Sequence, residues 1–481
     1  MTETPSVFGI IGLGVMGRNL ALNIEEKGFP VAAWNREFEA TERFLSGEGA
    51  GRKIQGFRTL KELAEALPRP RRILMMIKSG APVDETVGKL MPLLQEGDVL
   101  LDGGNSHFPD TERRCEALRS DGVHFFGTGV SGGEMGARYG PSLMPGGDRQ
   151  AYSQIAPVLE KIAAQVEDGP CVAYVGPGGA GHFVKTVHNG IEYAVMQLLA
   201  EAYDAAKRLL GMDSAETSDL FDSWNRGPLR SFLLDITSRI FTVKDEETGQ
   251  PLVEVILDQA EQKGTGKWTA QAALDLGTPI SSIYSAIEAR FFSAQKENRE
   301  RVSRRIAGPQ PRLESDKAAI SKQLHDAFFA SFLVSYCQGL SLIQEASVDF
   351  QWRIDRSEVC RIWKGGCIIR ADLLSTLQEL YRAEPELWTP LESDPFQKWL
   401  APRQDSWRHF VSAAVQSGLA IPCLTSSLTY YDSLRTADLQ QNLTQAHRDF
   451  FGSHRYRRRD RPQAAPVHTD WYAETGYTEK G

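Results

Sequence analysis

Six residues near the start of the chain, Gly12-Leu13-Gly14-Val15-Met16-Gly17, restrict its fold more than any other feature. They follow an apolar run, Val7–Leu13, and open a helical pattern that extends to Gly28. Glycines at this spacing allow a tight turn and let backbone N–H groups and a helix N-terminus approach a pyrophosphate. The same letters arise from an ordinary turn with small-residue helix packing, so the flanking pattern decides. A second apolar run, Val31–Trp34, follows at the distance a βαβ unit requires. Gly12, Leu13, Gly14, Val15, Met16 and Gly17 are therefore read as a dinucleotide site.

Further short apolar runs, Ile73–Ile77, Val99–Leu101, Val123–Phe126 and Val172–Val175, alternate with helical stretches. This alternation predicts a parallel α/β sheet of Rossmann type over residues 1–178. The string Gly176-Pro177-Gly178-Gly179-Ala180-Gly181 then punctuates the chain, and long segments of helical periodicity predict an all-α region over 179–440. That region carries a diverged duplication. Lys185-Thr186-Val187-His188-Asn189 matches Lys322-Gln323-Leu324-His325-Asp326, and Trp224 and Gly227 match Trp363 and Gly366 at nearly the same offset. Residues 441–481 turn polar and basic, with Arg455, Arg457, Arg458, Arg459 and Arg461 ahead of Pro462 and Pro466, and read as an extended tail.

Charge and cysteine usage narrow the partners. With 54 Lys+Arg against 62 Asp+Glu, a net charge of −8, bulk electrostatics attract neither nucleic acid nor an anionic membrane. An anionic ligand has to find a local positive pocket. No stretch reads as a membrane span, the N-terminus lacks a secretory pattern, and the six scattered cysteines form no C-x-x-C pair. The expectation is a cytoplasmic protein in a reducing compartment, with no metal site.

The second strand ends in Asn35-Arg36, where an NAD-selective site places a carboxylate for the ribose 2′-hydroxyl; Arg36 suits the 2′-phosphate of NADP instead. Glu37 beside it repels that phosphate if turned inward, which leaves NAD as the alternative cofactor. Beyond the glycine hinge, Lys185, His188, Asn189 and Glu192 occupy positions 0, +3, +4 and +7 of a helix. They share one face, and Phe183, Val187, Ile191, Ala194 and Leu198 share the other. Such a polar row is ordinarily a solvated face. Its place directly after the nucleotide region makes it a candidate lining for the cleft where substrate meets cofactor. The duplicate keeps Lys322 and His325 but has Phe329 where Glu192 stands, so the acid is peculiar to the first copy. Asp102-Gly103-Gly104-Asn105-Ser106 and Ser131-Gly132-Gly133-Glu134-Met135-Gly136-Ala137-Arg138 each follow a strand, at the carboxyl ends where open parallel sheets bind ligands. Together they offer donors for a polyhydroxy acid. Lys263-Gly264-Thr265-Gly266-Lys267, Arg290 and Arg448 are candidates for a phosphate clamp.

Taken in order, these strings resemble the 6-phosphogluconate dehydrogenase family, the decarboxylating enzymes of the oxidative pentose phosphate pathway. The similarity runs through essentially the whole chain, including Arg138–Gly147, Gly181–Tyr193, Lys263–Thr269 and Arg448–His454. The resemblance implies a nucleotide domain, a large duplicated all-α domain and a tail that threads into the partner subunit of a homodimer. It implies 6-phosphogluconate as substrate, Lys185 as base and Glu192 as acid. It assigns substrate binding to Asn105, Ser131, Gly132, Gly133, His188, Asn189, Tyr193, Lys263, Thr265 and Arg290, with Arg448 and His454 reaching in from the other subunit. It also sets Lys78 and Asn105 beside the cofactor, with Asn35, Arg36 and Glu37 at its far end. Two departures stand out: the family often has Thr where Glu37 stands, and the Arg455–Arg461 cluster is unlike the usual tail. A β-hydroxyacid dehydrogenase shares the first domain and the Lys-bearing helix but is much shorter and lacks the second helical half. A non-catalytic protein on this scaffold would have no need of Lys185 and Glu192.

Overall fold

Residues 7–261, 264–311 and 316–475 are described by the computed structural model. Seven strands, β1 (Phe8–Ile11), β2 (Val31–Trp34), β3 (Ile54–Gly56), β4 (Arg72–Met75), β5 (Val99–Asp102), β6 (His124–Ser131) and β7 (Ser142–Gly147), form one sheet in the order β3-β2-β1-β4-β5-β6-β7. All pairings are parallel except β6 with β7. Helices cover both faces, so successive side chains of one strand enter different apolar layers. Ile10, Leu74 and Leu101 meet Leu20, Ile24 and Ile155 in one layer. Ile11, Ile73, Met75 and Leu100 meet Leu63, Val83 and Leu90 in the other.

The sheet departs from the sequence reading at its edges. Two strands, β3 and β7, were not expected, and Val172–Val175 is no strand: beside β7 it makes one isolated bridge, Leu143 to Val172, the next falling at Gly176 against Gly146, and single hydrogen bonds from Val175 N to Pro145 O (3.0 Å) and from the Tyr174 hydroxyl to Gly147 O (2.9 Å). The string Ser-Leu-Met-Pro-Gly-Gly of β7 has loop composition. It is tolerated because β7 is an edge strand, where a proline needs no ladder partner on its open side.

The helical region begins with the Ala180–Arg208 helix, and its element order repeats. Ala180–Arg208, Ser214–Trp224, Phe232–Ile240, Thr265–Asp275 and Ser281–Ser293 correspond to Lys317–Asp349, Arg356–Trp363, Leu373–Ala383, Gln404–Gln416 and Pro422–Leu434. In each set the second helix ends on the matched tryptophan and a glycine at positive φ follows, Gly227 at 58° and Gly366 at 63°. A bridge from Ser231 to Ala371 joins the equivalent segments. The halves also exchange rings. His188 of the first packs edge-on against Trp363 of the second (5.7 Å, 76°), and His325 of the second against Trp224 of the first (5.5 Å, 73°). Contrary to the expectation above, the 317–349 helix is long and apolar enough to cross a membrane by length and composition; its apolar window is wholly buried in the protein, as suits a central helix.

Residues 1–428 group into one unit and 429–481 into a second. Within the second, Asp449 on the Gln441–Gly452 helix is buried and accepts hydrogen bonds from Arg455 N (2.7 Å), His468 Nδ1 (3.0 Å), Thr469 N (3.1 Å) and Trp471 Nε1 (2.8 Å). Much of the arginine cluster is paired locally: Arg458 with Asp460, Arg459 with Asp438, and Arg457 with the Pro462 and Ala464 carbonyls.

Candidate active site

The carboxyl ends of β1, β2, β4, β5 and β6 carry the predicted cofactor and substrate loops. After β1 the chain turns into the Val15–Glu26 helix, whose N-cap, Gly14, supplies no side-chain cap. The first N–H groups of a helix lack intrahelical acceptors and face outward. Around them the glycines divide the work. A Cβ on Gly12 would meet Met76 O at 2.4 Å and one on Gly17 would meet Gly12 O at 1.9 Å, whereas one on Gly14 would meet nothing within 4 Å. The turn is closed below and open above, which is the shape a pyrophosphate needs. Leu13, Val15 and Met16 complete it, and the Leu13 N–H is held by Asn35 Oδ1 (3.0 Å), tying the turn to the end of β2.

Arg36 is exposed and its Nε donates to Glu37 Oε1 at 2.7 Å, so the two residues read as competitors in the sequence pair with one another. Lys78 is exposed on the loop after β4. Asp102, at the end of β5, accepts from Gly104 N (3.0 Å) and Ser106 Oγ (2.6 Å), which shapes the loop that leaves Asn105 exposed.

The polar row on the 180–208 helix is not a wet face. Lys185, His188 and Asn189 are 6%, 0% and 7% exposed, because β6 and β7 cover one side of the helix and the 265–275, 281–293 and 317–349 helices the others. Lys185 Nζ donates to Asn189 Oδ1 (2.7 Å) and Ser131 Oγ (3.2 Å) and lies 3.3 Å from His188 Nδ1. The imidazole reaches Ser131 Oγ through Nε2 (3.1 Å), and Asn189 Nδ2 donates to Thr265 Oγ1 (3.0 Å). Glu192, one turn on, stands 3.8 Å from His188 Nδ1. Burial lowers the ionisation of Lys185 from its ordinary value, against the opposing charge of Glu192. Burial likewise pushes the Glu192 carboxyl up, against the pull of Lys185 and Arg290, and drives His188 well below the usual imidazole range. Burial therefore shifts both groups toward their uncharged forms.

Ser131 ends β6 and Gly132 and Gly133 follow it directly, with Gly132 as N-cap of the short 133–139 helix. Tyr193 is buried, and the Arg290 guanidinium lies 3.5 Å from the centroid of its ring while Nη1 donates to Glu261 O (2.9 Å). Lys263 lies outside the described residues. Arg448 and His454 belong to the second unit, where both are exposed. Sequence reading missed two contributors. Gly129 on β6 is one: a Cβ there would come within 2.5 Å of Lys185 Cβ, so only glycine lets the helix settle this deeply on the strand. Trp363, which walls in His188, is the other; its place in the duplication was the available signal.

A family model described as the NAD binding domain of 6-phosphogluconate dehydrogenase matches residues 7–176, and one described as the C-terminal domain of that enzyme matches residues 181–471. A Synechocystis protein named 6-phosphogluconate dehydrogenase, decarboxylating, is 48% identical over 472 residues, covering 97% of this chain and 98% of that protein. A Bacillus subtilis relative, named as the NADP(+)-dependent decarboxylating enzyme, is 47% identical over 464 residues, covering 96% and 98%. The solved 6-phosphogluconate dehydrogenase of Plasmodium falciparum, described in apo form and in complex with NADP+ and with 6-phosphogluconate, has a TM-score of 0.92 at 39% identity and covers 96% of this chain and 100% of that one. Since the relatives align from end to end and both of the family's domain models find their counterparts here, the chain belongs to the 6-phosphogluconate dehydrogenase family.

Proposed function

We propose that this protein oxidises and decarboxylates 6-phosphogluconate to ribulose 5-phosphate and carbon dioxide with NADP, using Lys185 as general base and Glu192 as general acid. The observation that carries the residue roles is the buried amine of Lys185, hydrogen-bonded to Ser131 and Asn189 and depressed in ionisation, about two helical turns from a carboxyl whose ionisation is raised. Family membership supports the reaction, and the open glycine turn fits the cofactor.

Bound at Gly12–Gly17, with Asn35, Arg36, Glu37, Lys78 and Asn105 at its edges, NADP supplies a hydride acceptor. Lys185, uncharged, takes the proton of the C3 hydroxyl as that carbon is oxidised. Oxidation leaves a carbonyl β to the carboxylate, so loss of carbon dioxide sends an electron pair toward C3 oxygen. Lys185, now an ammonium, donates to that developing oxyanion together with Ser131 or Asn189. Glu192 delivers its proton to the substrate's former C2, which is C1 of the enediol, and completes the ketose. Asn105, Gly132, Gly133, His188, Tyr193, Lys263, Thr265 and Arg290 hold the sugar phosphate.

The same reading divides the chain into a nucleotide domain (1–178), a helical substrate domain (179–440) and a tail (441–481) that reaches the partner of a cytoplasmic homodimer, carrying Arg448 and His454 to its site. Steady-state assay with 6-phosphogluconate against NADP and NAD in turn tests substrate and cofactor together. Turnover with NADP and stoichiometric release of carbon dioxide are expected; NADP reduction without carbon dioxide release would overturn the assignment.

A further inference from the structure

The exposed Asn105 lies between two residues that are held in place. Ser106, which follows it, is buried and donates to Asp102 Oδ2, while Asp102 O lies 3.0 Å from the Nε2 of the buried His182. His107 comes next, as N-cap of the Phe108–Arg119 helix, yet it makes no side-chain cap hydrogen bond. Its imidazole instead stacks on the indole of Trp268, with centroids 5.0 Å apart and planes 23° from parallel, within the range that aromatic pairs prefer. Phe108 pins the same turn to other elements, edge-on to Phe183 (5.2 Å, 88°) and Trp352 (5.7 Å, 87°).

Trp268 stands on an equally fixed element. It belongs to the 265–275 helix, whose first residue, Thr265, accepts from Asn189 Nδ2 beside the Lys185 amine. Thr269 Oγ1 anchors that helix to the 180–208 helix by donating to Thr186 O at 2.8 Å. The stack thus joins a loop of the nucleotide-binding sheet to a helix of the all-α region, close in sequence to Asn105 on one side and to Thr265 on the other. Both rings are half-buried. Burial lowers the ionisation of His107, against the opposing charge of Asp110, so at neutral pH the imidazole meets the indole as an uncharged ring.

We propose that His107 is a positioning residue for 6-phosphogluconate: stacked on Trp268, it holds the Asn105 loop in register with Thr265, so that donors from the sheet and from the helix meet the sugar acid together. This role rests on the reaction proposed above. Without the stack, the loop and the helix have to be brought into register when the substrate binds, and that ordering is drawn from substrate affinity. NADP alone, seated on the Gly12–Gly17 turn, does not need the 265–275 helix, so its binding to the free enzyme is independent of the stack.

Steady-state assay of His107→Ala and His107→Phe in the full-length protein, with NADP binding measured separately by calorimetry, tests the role. An aromatic pair is worth about three- to tenfold in an equilibrium constant. His107→Ala is therefore expected to raise the KM for 6-phosphogluconate by about threefold or more while the Kd for NADP stays within about twofold of the parent. His107→Phe, which can still stack, should return the KM to within about twofold. In a Trp268→Leu background, His107→Ala should raise the KM by less than about twofold, because the partner ring is already gone. An unchanged KM in His107→Ala, no restoration by Phe, an equal loss of NADP affinity, or additive effects in the double variant would each overturn the proposal. Absence of 6-phosphogluconate turnover in the parent overturns the reaction and this role with it, whereas parental turnover that His107→Ala leaves intact overturns the role of the stack alone.

Discussion

Lys185→Met removes the amine while keeping an unbranched side chain of similar length, and the surroundings indicate that the fold survives the change. Ser131 Oγ retains His188 Nε2 at 3.1 Å, and Asn189 retains its bond to Thr265 Oγ1 at 3.0 Å. Losing an amine that burial already disfavours costs little, so folding stability is expected to stay within about 1 kcal/mol of the parent. Catalysis should not survive. A positioned general base contributes on the order of 10²–10⁴ in rate, and the same group, once charged, stabilises the oxyanion by roughly another 10²–10³. Because one side chain performs both tasks the factors do not simply multiply, and a fall in kcat of about 10⁴ or more is expected, roughly 5 kcal/mol of transition-state stabilisation. The assay is kcat at saturating 6-phosphogluconate and NADP, alongside NADP affinity and the thermal midpoint. More than about a tenth of parental kcat would refute the base assignment, and a collapse of NADP affinity would show that the loss arose elsewhere.

Three other substitutions probe separate links. The pH profile of kcat/KM should fall on its acid side as Lys185 gains a proton and on its alkaline side as Glu192 loses one, so Glu192→Gln is expected to abolish the alkaline limb; a limb that persists assigns it to another group. Glu201 caps the 422–434 helix by accepting Cys423 N (2.8 Å) and Leu424 N (2.9 Å), and burial pushes its carboxyl from 4.5 up to about 7. With the folded value above the unfolded one, folding stability is fullest below pH 4.5 and falls as pH rises through about 7, by about 3 kcal/mol, because burial penalises the charged carboxyl more than the two N–H donors offset; stability measured by denaturant should vary less with pH in Glu201→Gln, and an identical pH dependence would contradict the linkage. Glu37→Thr frees the Arg36 guanidinium, now paired at 2.7 Å, and should lower the KM for NADP several-fold without helping NAD; equal changes for both cofactors would mean that Arg36 does not read the 2′-phosphate.

Much of this was legible in the order of residues alone. Glycine spacing between two apolar runs specifies a strand, a turn and a helix because backbone sterics act locally, and the helical period alone assigned Lys185, His188, Asn189 and Glu192 to one face. The twin K-x-x-H strings announced a repeated helical architecture. What local pattern does not contain is environment. Whether the polar row would be wet or dry depended on β6, β7 and three other helices closing over it, and that enclosure is what shifts the Lys185 and Glu192 ionisations. The exchange of rings between His188 and Trp363, the closeness of Gly129 to Lys185, and the pairing of Arg36 with Glu37 are likewise properties of packing. Residue identity set which chemistry was available; the desolvation that shifts the amine toward its uncharged form comes only from atoms distant in sequence and adjacent in space.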